Sequence, residues 1–334
     1  MLRKNVYVFS LIIFSLLIAN EKFKSKRFYP NCYFKFLPGK CFIFNYILNL
    51  TTNSCENQCI KNCPMGRFGN NLIEILRGVQ FATATGIKEI YVPHGFLQQK
   101  KSFNYKDIKF EMAKNRRFKY FHNECQNVQL YYPFSRLPRT PFEIDPEFRD
   151  WLLSQFPQID VPDDSLVIHI RSGDIFDPSK YLHPGYGQPP CNYYLDSYKM
   201  SNLSKMIVVA EDDKNPCVNF LKQHSGMHKL NDVYTDFGTM LNAKNLVASR
   251  GSLSLAILLL SKKIKNFFAF NMSSSRIIDH WNCVPTDDYS NTILTKWNNN
   301  QTQREIMLSS KCEKWEFIPH GNQNLDAFLH EQSI

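Results

Sequence analysis

LVIHIRSGD, residues 166–174, runs a strand-like segment into a charged turn. Val167, Ile168 and Ile170 are β-branched and suit a pleated strand. The segment is apolar at successive rather than alternate positions, as in strands covered on both faces, and parallel sheets are built from such strands. It stops at Arg171-Ser-Gly-Asp174. The same alternation recurs downstream. Residues 179–190 read as a Pro/Gly loop, Tyr193 to Met200 as the start of a helix and Met206 to Ala210 (MIVVA) as a second strand. Val218 to His224 is expected to be helical, Asn245 to Val247 a strand, Ser252 to Ser261 a helix and Asn266 to Phe270 a strand. Upstream, GRFGNN (Gly66 to Asn71) opens a helix whose apolar face is Leu72, Ile75, Leu76, Val79 and Ala82. Asn70 or Asn71 is placed to cap that helix and Gly86 to end it. Glu89 to Val92 is the next strand, closed by Pro93. Strands alternating with helices predict an α/β fold with a mostly parallel sheet. Ligands of such sheets sit outside the carboxyl ends of the strands, and each charged motif of this chain falls at such an end.

The chain has 334 residues, enough for about two domains at roughly 150 residues each. Its 43% hydrophobic and 14% aromatic content supplies a core and excludes a disordered chain. With 13 glycines and 17 prolines it is neither collagen-like nor of low complexity. No fixed-period repeat argues for a solenoid. The formal charge of +10 suits nucleic acid, a membrane surface or an anionic small substrate, and equally suits solvated lysine-rich faces.

Val6 to Ala19 (VYVFSLIIFSLLIA) is an apolar run shorter than the roughly 20 residues of a full membrane span. Arg3 and Lys4 precede it, so it reads as a signal anchor or, alternatively, a secretory signal peptide. Leu17 is too large for the small-residue pair that a cleavage site at Ala19 needs, which favours the anchor. Ten cysteines and sequons at Asn49, Asn202, Asn271 and Asn300 place the body of the chain in an oxidising lumen, with those asparagines as glycosylation sites. Cys41, Cys55, Cys59 and Cys63 lack a CxxC pair and partner histidines, so disulfides explain them better than zinc. The expected organisation is an anchor or signal at 1–20, a Cys-rich stem at 21–64, an N-terminal lobe at 65–160 and a C-terminal lobe with its tail at 161–334.

Chemistry concentrates at three turns. His169 and Arg171 are two apart and share a side if their strand continues. Arginine is fixed in charge and offers a planar fork of donors matched to phosphate oxygens. Asp174 can orient Arg171 or cap the next turn of chain, and a plain Arg–Asp pair at a strand end is the alternative. Glu211-Asp212-Asp213 at the end of MIVVA suits a divalent metal, a nucleobase or ribose hydroxyl, or a solvated turn. Ser249-Arg250-Gly251-Ser252-Leu253-Ser254 precedes an apolar helix, where free N–H groups form an anion site or Ser252 simply caps. GRFG, with Gly69 and Asn70, is a further ligand-facing turn. It is not GxGxxG, and P-loop, GxSxG and HExxH motifs are absent.

In order along the chain, GRFGNN, HIRSGD, CNYYLDSY, IVVAEDD and FGTMLNAKNLVASRGSLSLA resemble the fucosyltransferase superfamily, and most nearly the α1,2-fucosyltransferases (glycosyltransferase family 11-like). The likeness covers roughly residues 65–270. It implies a GT-B architecture, two Rossmann-like lobes facing across a cleft, with GDP-fucose as donor, inversion at the anomeric carbon and no bound metal. It implies that Arg171 holds the donor pyrophosphate as the catalytic residue, with Asp174 beside it, and that His169 lies near the nucleoside. Asp212 or Asp213 is the acid near guanine, Ser252 and Ser254 contact phosphate, and Gly69 and Asn70 face the donor from the first lobe. The partners so implied are the nucleotide sugar and a glycan acceptor on a glycoprotein or glycolipid, with no nucleic acid and with the membrane reached through the N-terminal anchor. The location implied is the Golgi membrane, single-pass type II with a lumenal catalytic domain, or secretion. The chain departs from the family pattern at Ser172, where a second basic residue is usual, and at Leu255 and Ala256, where tryptophans are usual. A metal-dependent glycosyltransferase with another donor, and an inactive glycan-binding protein, are the competing functions.

Overall fold

The computed structural model describes residues 58–62, 68–85, 88–92, 102–112, 126–130, 144–177, 187–228, 231–270, 280–294 and 300–318. The expected anchor, most of the stem, Gly66, Gly86, Asn49 and Asn271 lie outside these residues. No helix among the described residues is long and apolar enough to cross a membrane.

The chain forms two sheets. The first contains β1 (Gln58–Asn62), β2 (Glu89–Val92), β3 (Ser102–Tyr105), β4 (Ile108–Met112) and β5 (Gln126–Leu130), in the order β3-β4-β2-β1-β5. All its pairs are parallel except the β3–β4 hairpin. The expected stem boundary is therefore too late. Residues 58–62 are an interior strand that pairs Ile60 with Ile90 on one side and with Val128 on the other. QCIKN contains a single branched apolar residue, so period and propensity give no strand signal there.

Helix α1 (Phe68–Thr85) links β1 to β2. It buries Leu72, Ile75, Leu76, Val79 and Ala82, the face expected from their spacing. It starts two residues before Asn70, so Asn70 and Asn71 lie within the first turn and do not cap it. Helix α2 (Pro146–Leu153) is capped by Asp145, whose carboxylate accepts the N–H groups of Glu147 and Phe148. Its Phe148 and Trp151 stack with Phe103 and Phe110 of the first sheet.

The second sheet contains β6 (Ser165–Ile170), β7 (Lys205–Ala210), β8 (Met227–His228), β9 (Asn245–Val247), β10 (Asn266–Phe270), β11 (His280–Pro285) and β12 (Cys312–Ile318). Its order is β12-β11-β10-β9-β6-β7-β8. Every pair is parallel except β11–β12. Four helices make the crossovers: α3 (Cys191–Ser201), α4 (Pro216–Gln223), α5 (Val233–Asn242) and α6 (Ser252–Leu260). A further helix, α7 (Gln301–Ser309), precedes β12. The chain enters mid-sheet at β6, winds outward through β7 to β8, then returns to β9 on the other side of β6 and winds outward again. The direction of winding reverses between β6 and β9, and a crevice outside the carboxyl ends of those two strands is the expected ligand position of such a sheet.

Two disulfides are present among the described residues. Cys191–Cys217 joins the first turns of α3 and α4, and Cys283–Cys312 joins β11 to β12. They close loops of 26 and 29 residues, a size for which the cross-link contributes about 3–4 kcal/mol by restricting the unfolded chain.

The two sheets share one apolar core, which takes in α1, β2, β4, α5 and α6. The contact is closest where α1 crosses α6. A Cβ at Gly69 would lie 2.5 Å from the backbone nitrogen of Leu253. The neighbouring Phe68 meets Phe237 edge-on at 5.2 Å between ring centroids.

Candidate functional site

The turn after β6 is tied across the switch point. The N–H of Arg171 donates to Ser249 Oγ at 3.1 Å, at the end of β9. The carbonyl of Arg171 accepts from Asn215 Nδ2 at 2.9 Å, after β7. Its guanidinium is held by two carboxylates: Nη2 lies 2.7 Å from Asp174 Oδ1, and Nη1 lies 3.5 Å from Glu211 Oε2. The side chain keeps 19% exposure, so the group is fixed but reachable. Gly173 has φ +72°, and a Cβ there would strike the Glu211 carboxylate. Glycine is the residue that meets both demands. The strand stops at Ile170, so the alternation that would put His169 and Arg171 on one side does not extend to Arg171.

Ser172 and Asp212 form the knot beneath this turn. Asp212 Oδ1 accepts from the Ser172 hydroxyl, from Gly173 N–H at 3.1 Å and from Lys214 N–H at 3.2 Å. Ser172 Oγ in turn accepts the N–H of Asn215 at 3.0 Å. Burial by itself raises the Asp212 carboxyl, but the hydrogen bonds from Ser172, Lys214 and Gly173 outweigh it and hold the group below the usual carboxylate range. Asp213 is exposed. The three neighbouring acids diverge: Glu211 turns to Arg171, Asp212 to the knot and Asp213 to solvent. No three His, Cys, Asp or Glu side chains among the described residues converge as metal ligands.

His169 lies behind the turn, 6% exposed. Its Nδ1 is 3.1 Å from Ser249 Oγ and 3.3 Å from Ser254 Oγ. Ser254 donates its hydroxyl hydrogen to the Ser249 carbonyl at 3.1 Å. Ser254 has thereby spent its one hydrogen, so toward the ring its oxygen can only accept, whereas Ser249 Oγ can accept or donate. Burial, assisted by the charge of Arg171, lowers the imidazole to about 3, which keeps it neutral. Both serines are buried; the Ser254 hydroxyl, expected to contact phosphate, serves this internal network.

Helix α6 begins at Ser252, with Gly251 as its cap residue at φ +150°. A Cβ at Gly251 would meet nothing within 4 Å, while the first-turn backbone at Ser252 and Leu253 is covered by Gly69 of α1. Ser252 is half-buried. Gly69 packs on the backbone of Ser252 and Leu253 instead of facing a ligand, and Asn70 stands beside it, half-buried. Tyr193 of the CNYY motif donates its hydroxyl to the carbonyls of Ala248 and Phe268, at 2.9 and 2.8 Å. The five motifs, scattered in sequence, thus meet around one end of the second sheet.

Two residues are marked by burial of their charge, Arg250 at the site and Asp236 on α5. Arg250 is half-buried, burial lowers its guanidinium to about 10, and no carboxylate among the described residues acts on it. Asp236, in the first turn of α5, is 7% exposed and accepts from Asn231 Nδ2 at 3.1 Å. Burial raises its carboxyl to about 6. Arg250 lies inside a quoted motif and Asp236 outside one, and in both the distinguishing signal is a buried charge with no opposite charge among its described neighbours.

Of the sequons, Asn202 ends α3 in a left-handed conformation and is exposed. Asn300 is exposed and caps α7 by accepting Gln303 N–H at 2.8 Å. Comparison of the chain with models of known families, with characterised proteins and with solved structures finds no match.

Proposed function

We propose that this chain is a glycosyltransferase that moves fucose from GDP-fucose to a glycan hydroxyl, in α1,2 linkage, with inversion and without a metal ion. One observation carries the reading. The switch point between β6 and β9 is flanked by Arg171 on one strand end, and by Ser249, Arg250 and the start of α6 on the other. A nucleotide diphosphate fits such a crevice, because fixed cations and helix-start N–H groups suit its charge. GDP leaves as an anion, and preorganised donors aimed at developing charge lower the barrier to its departure. In this reading Arg171 holds the pyrophosphate, Asp174 orients the guanidinium, and Ser252 adds a hydroxyl at the helix start. His169, held neutral by burial, adds polarity without a charge. The order of motifs that resembles the fucosyltransferases favours GDP-fucose among nucleotide sugars. The two sheets then correspond to the two lobes of a GT-B enzyme. The N-terminal apolar run anchors the chain as a type II protein, and the body lies in the Golgi lumen, where its disulfides form and the acceptor glycoproteins or glycolipids pass.

The test is to offer the purified full chain a panel of labelled nucleotide sugars, with and without EDTA. Fucose transfer that survives EDTA is the expected result. Transfer from another donor that EDTA abolishes and manganese restores would establish the metal-dependent alternative. A chain that neither binds nor turns over any donor would be a glycan-binding protein.

A further inference from the structure

We propose that Arg250 supplies the uncompensated positive charge that holds the diphosphate of the ligand, beside an Arg171 whose own charge is already balanced. The inference rests on the nucleotide-sugar site proposed above and names the residue that gives that site its sign.

Formal charge separates the two arginines. Arg171 contacts both Asp174 and Glu211, so its charge is compensated within the turn. Behind it, Asp212 is paired with Lys214 at 3.6 Å. Arg250 differs from Arg171 in having no hydrogen bond or ion pair among the described residues; burial is the one influence on its guanidinium. Half-buried arginines are ordinarily paired, because a desolvated charge without a partner is costly. A side chain held in that state at the switch point is matched to an anion that arrives from solution.

Position supports the assignment. The β6–β9 register pairs Ile168 with Val247, and three residues beyond each come Arg171 and Arg250. The two arginines therefore leave the two strands that define the switch point. Ser249, one residue before Arg250, takes the N–H of Arg171 and faces His169. Gly251, one residue after, has nothing within 4 Å of where a side chain would stand. That helix is nine residues long, and its cap residue has no side chain to offer the first-turn N–H groups. A diphosphate has two phosphoryl groups, and an Arg fork beside a helix start offers donors in two directions.

Binding of inorganic pyrophosphate and of GDP to the purified full chain, measured by titration calorimetry, tests this. Arg250→Gln is expected to weaken pyrophosphate binding by roughly thirtyfold or more, with Arg250→Lys recovering part of the loss because it returns the charge without the fork. The unliganded Arg250→Gln protein should melt at or above the wild-type midpoint, since an unpaired buried charge has been removed; a structural arginine would lower it. Pyrophosphate binding within threefold of wild type in Arg250→Gln, or no pyrophosphate binding by the wild type, overturns the inference. A wild type that binds pyrophosphate through Arg250 but ignores GDP and GDP-fucose keeps the inference and ends the nucleotide-sugar reading. GDP binding that is indifferent to Arg250 does the reverse. If Arg250→Gln does not fold, phenylglyoxal labelling of the wild type decides. Pyrophosphate should slow modification at Arg250 at least tenfold, and unchanged labelling there overturns the inference.

Discussion

Arg171 sits between two carboxylates that it reaches with different nitrogens of one plane. A lysine ammonium is a point charge and cannot span both. Arg171→Lys is therefore expected to keep the fold, whose turn is held by the backbone bonds to Ser249 and Asn215, and to lose about a hundred- to a thousandfold in donor turnover. Turnover and thermal midpoint measured on the same preparation check this; near-normal turnover would remove Arg171 from the machinery. His169 and Arg171 were legible in the sequence because each sits at the mouth of an unmistakable β-branched strand. Arg250 lay in an equally visible motif but was not distinguishable from any other surface arginine. Whether a cation has a carboxylate beside it depends on what other strands bring to it. Asp212 illustrates the converse. Its charge invited a ligand role, while its neighbours in space, Ser172 and Gly173, use it to tie a turn.

Among the elements, β6, β7, β9, β10 and α6 were legible from pattern because they are apolar on all sides, as buried strands and a buried helix must be. β1 was not, because Gln58, Lys61 and Asn62 surround its one branched residue and the cysteine spacing points to a stem instead. Its place in the sheet comes from partners on both sides, which local pattern does not record. The crossing of α1 over α6 rests on Gly69. A methyl there would overlap the Leu253 backbone, which cannot rotate away as a side chain tip can. Gly69→Ala is expected to destabilise the chain by about 2–3 kcal/mol, read as a lower urea midpoint with unchanged m-value. An unchanged midpoint would show that the two helices separate freely. The Cys191–Cys217 bridge fastens α3 to α4, the helices that come after the loops of Arg171 and Glu211. The double variant Cys191→Ser/Cys217→Ser should lose about 3 kcal/mol of stability and donor turnover with it. Full activity in a stably folded double variant would separate the bridge from the site.

At the scale of the whole molecule, two buried groups pull stability in opposite directions with pH. His169 titrates at about 3 in the folded chain against an ordinary 6.5. The unfolded chain therefore binds the extra proton first, and this group destabilises the fold as pH falls from 6.5 towards 3. Asp236 titrates at about 6 against an ordinary 3.8. The folded chain binds that proton first, so the group destabilises the fold as pH rises from 3.8 through 6. Asp236→Asn keeps the acceptor for Asn231 and removes the charge. It should raise stability by about 1 kcal/mol above pH 6.5, after allowance for partial solvent screening, and by nothing below pH 3.5. Thermal midpoints of wild type and variant across pH 3.5–8 give the comparison; an equal offset at every pH would assign the effect to something other than ionisation.

The two described bridges lie in series along the chain: Cys191 meets Cys217 before Cys283 and Cys312 appear. Under the proposed lumenal topology the chain enters the oxidising compartment as it is made. At 5–20 residues per second, Cys217 arrives about 1–5 s after Cys191. At that moment β9 and α6, which supply Ser249, Arg250 and the helix start, have not yet emerged into the compartment. The clasp between the first two loops can close on a half-built crevice, and the remaining half is added against a framework already fastened. Order of synthesis then becomes order of oxidation. Neither of these two bridges waits on a partner beyond the other's loop.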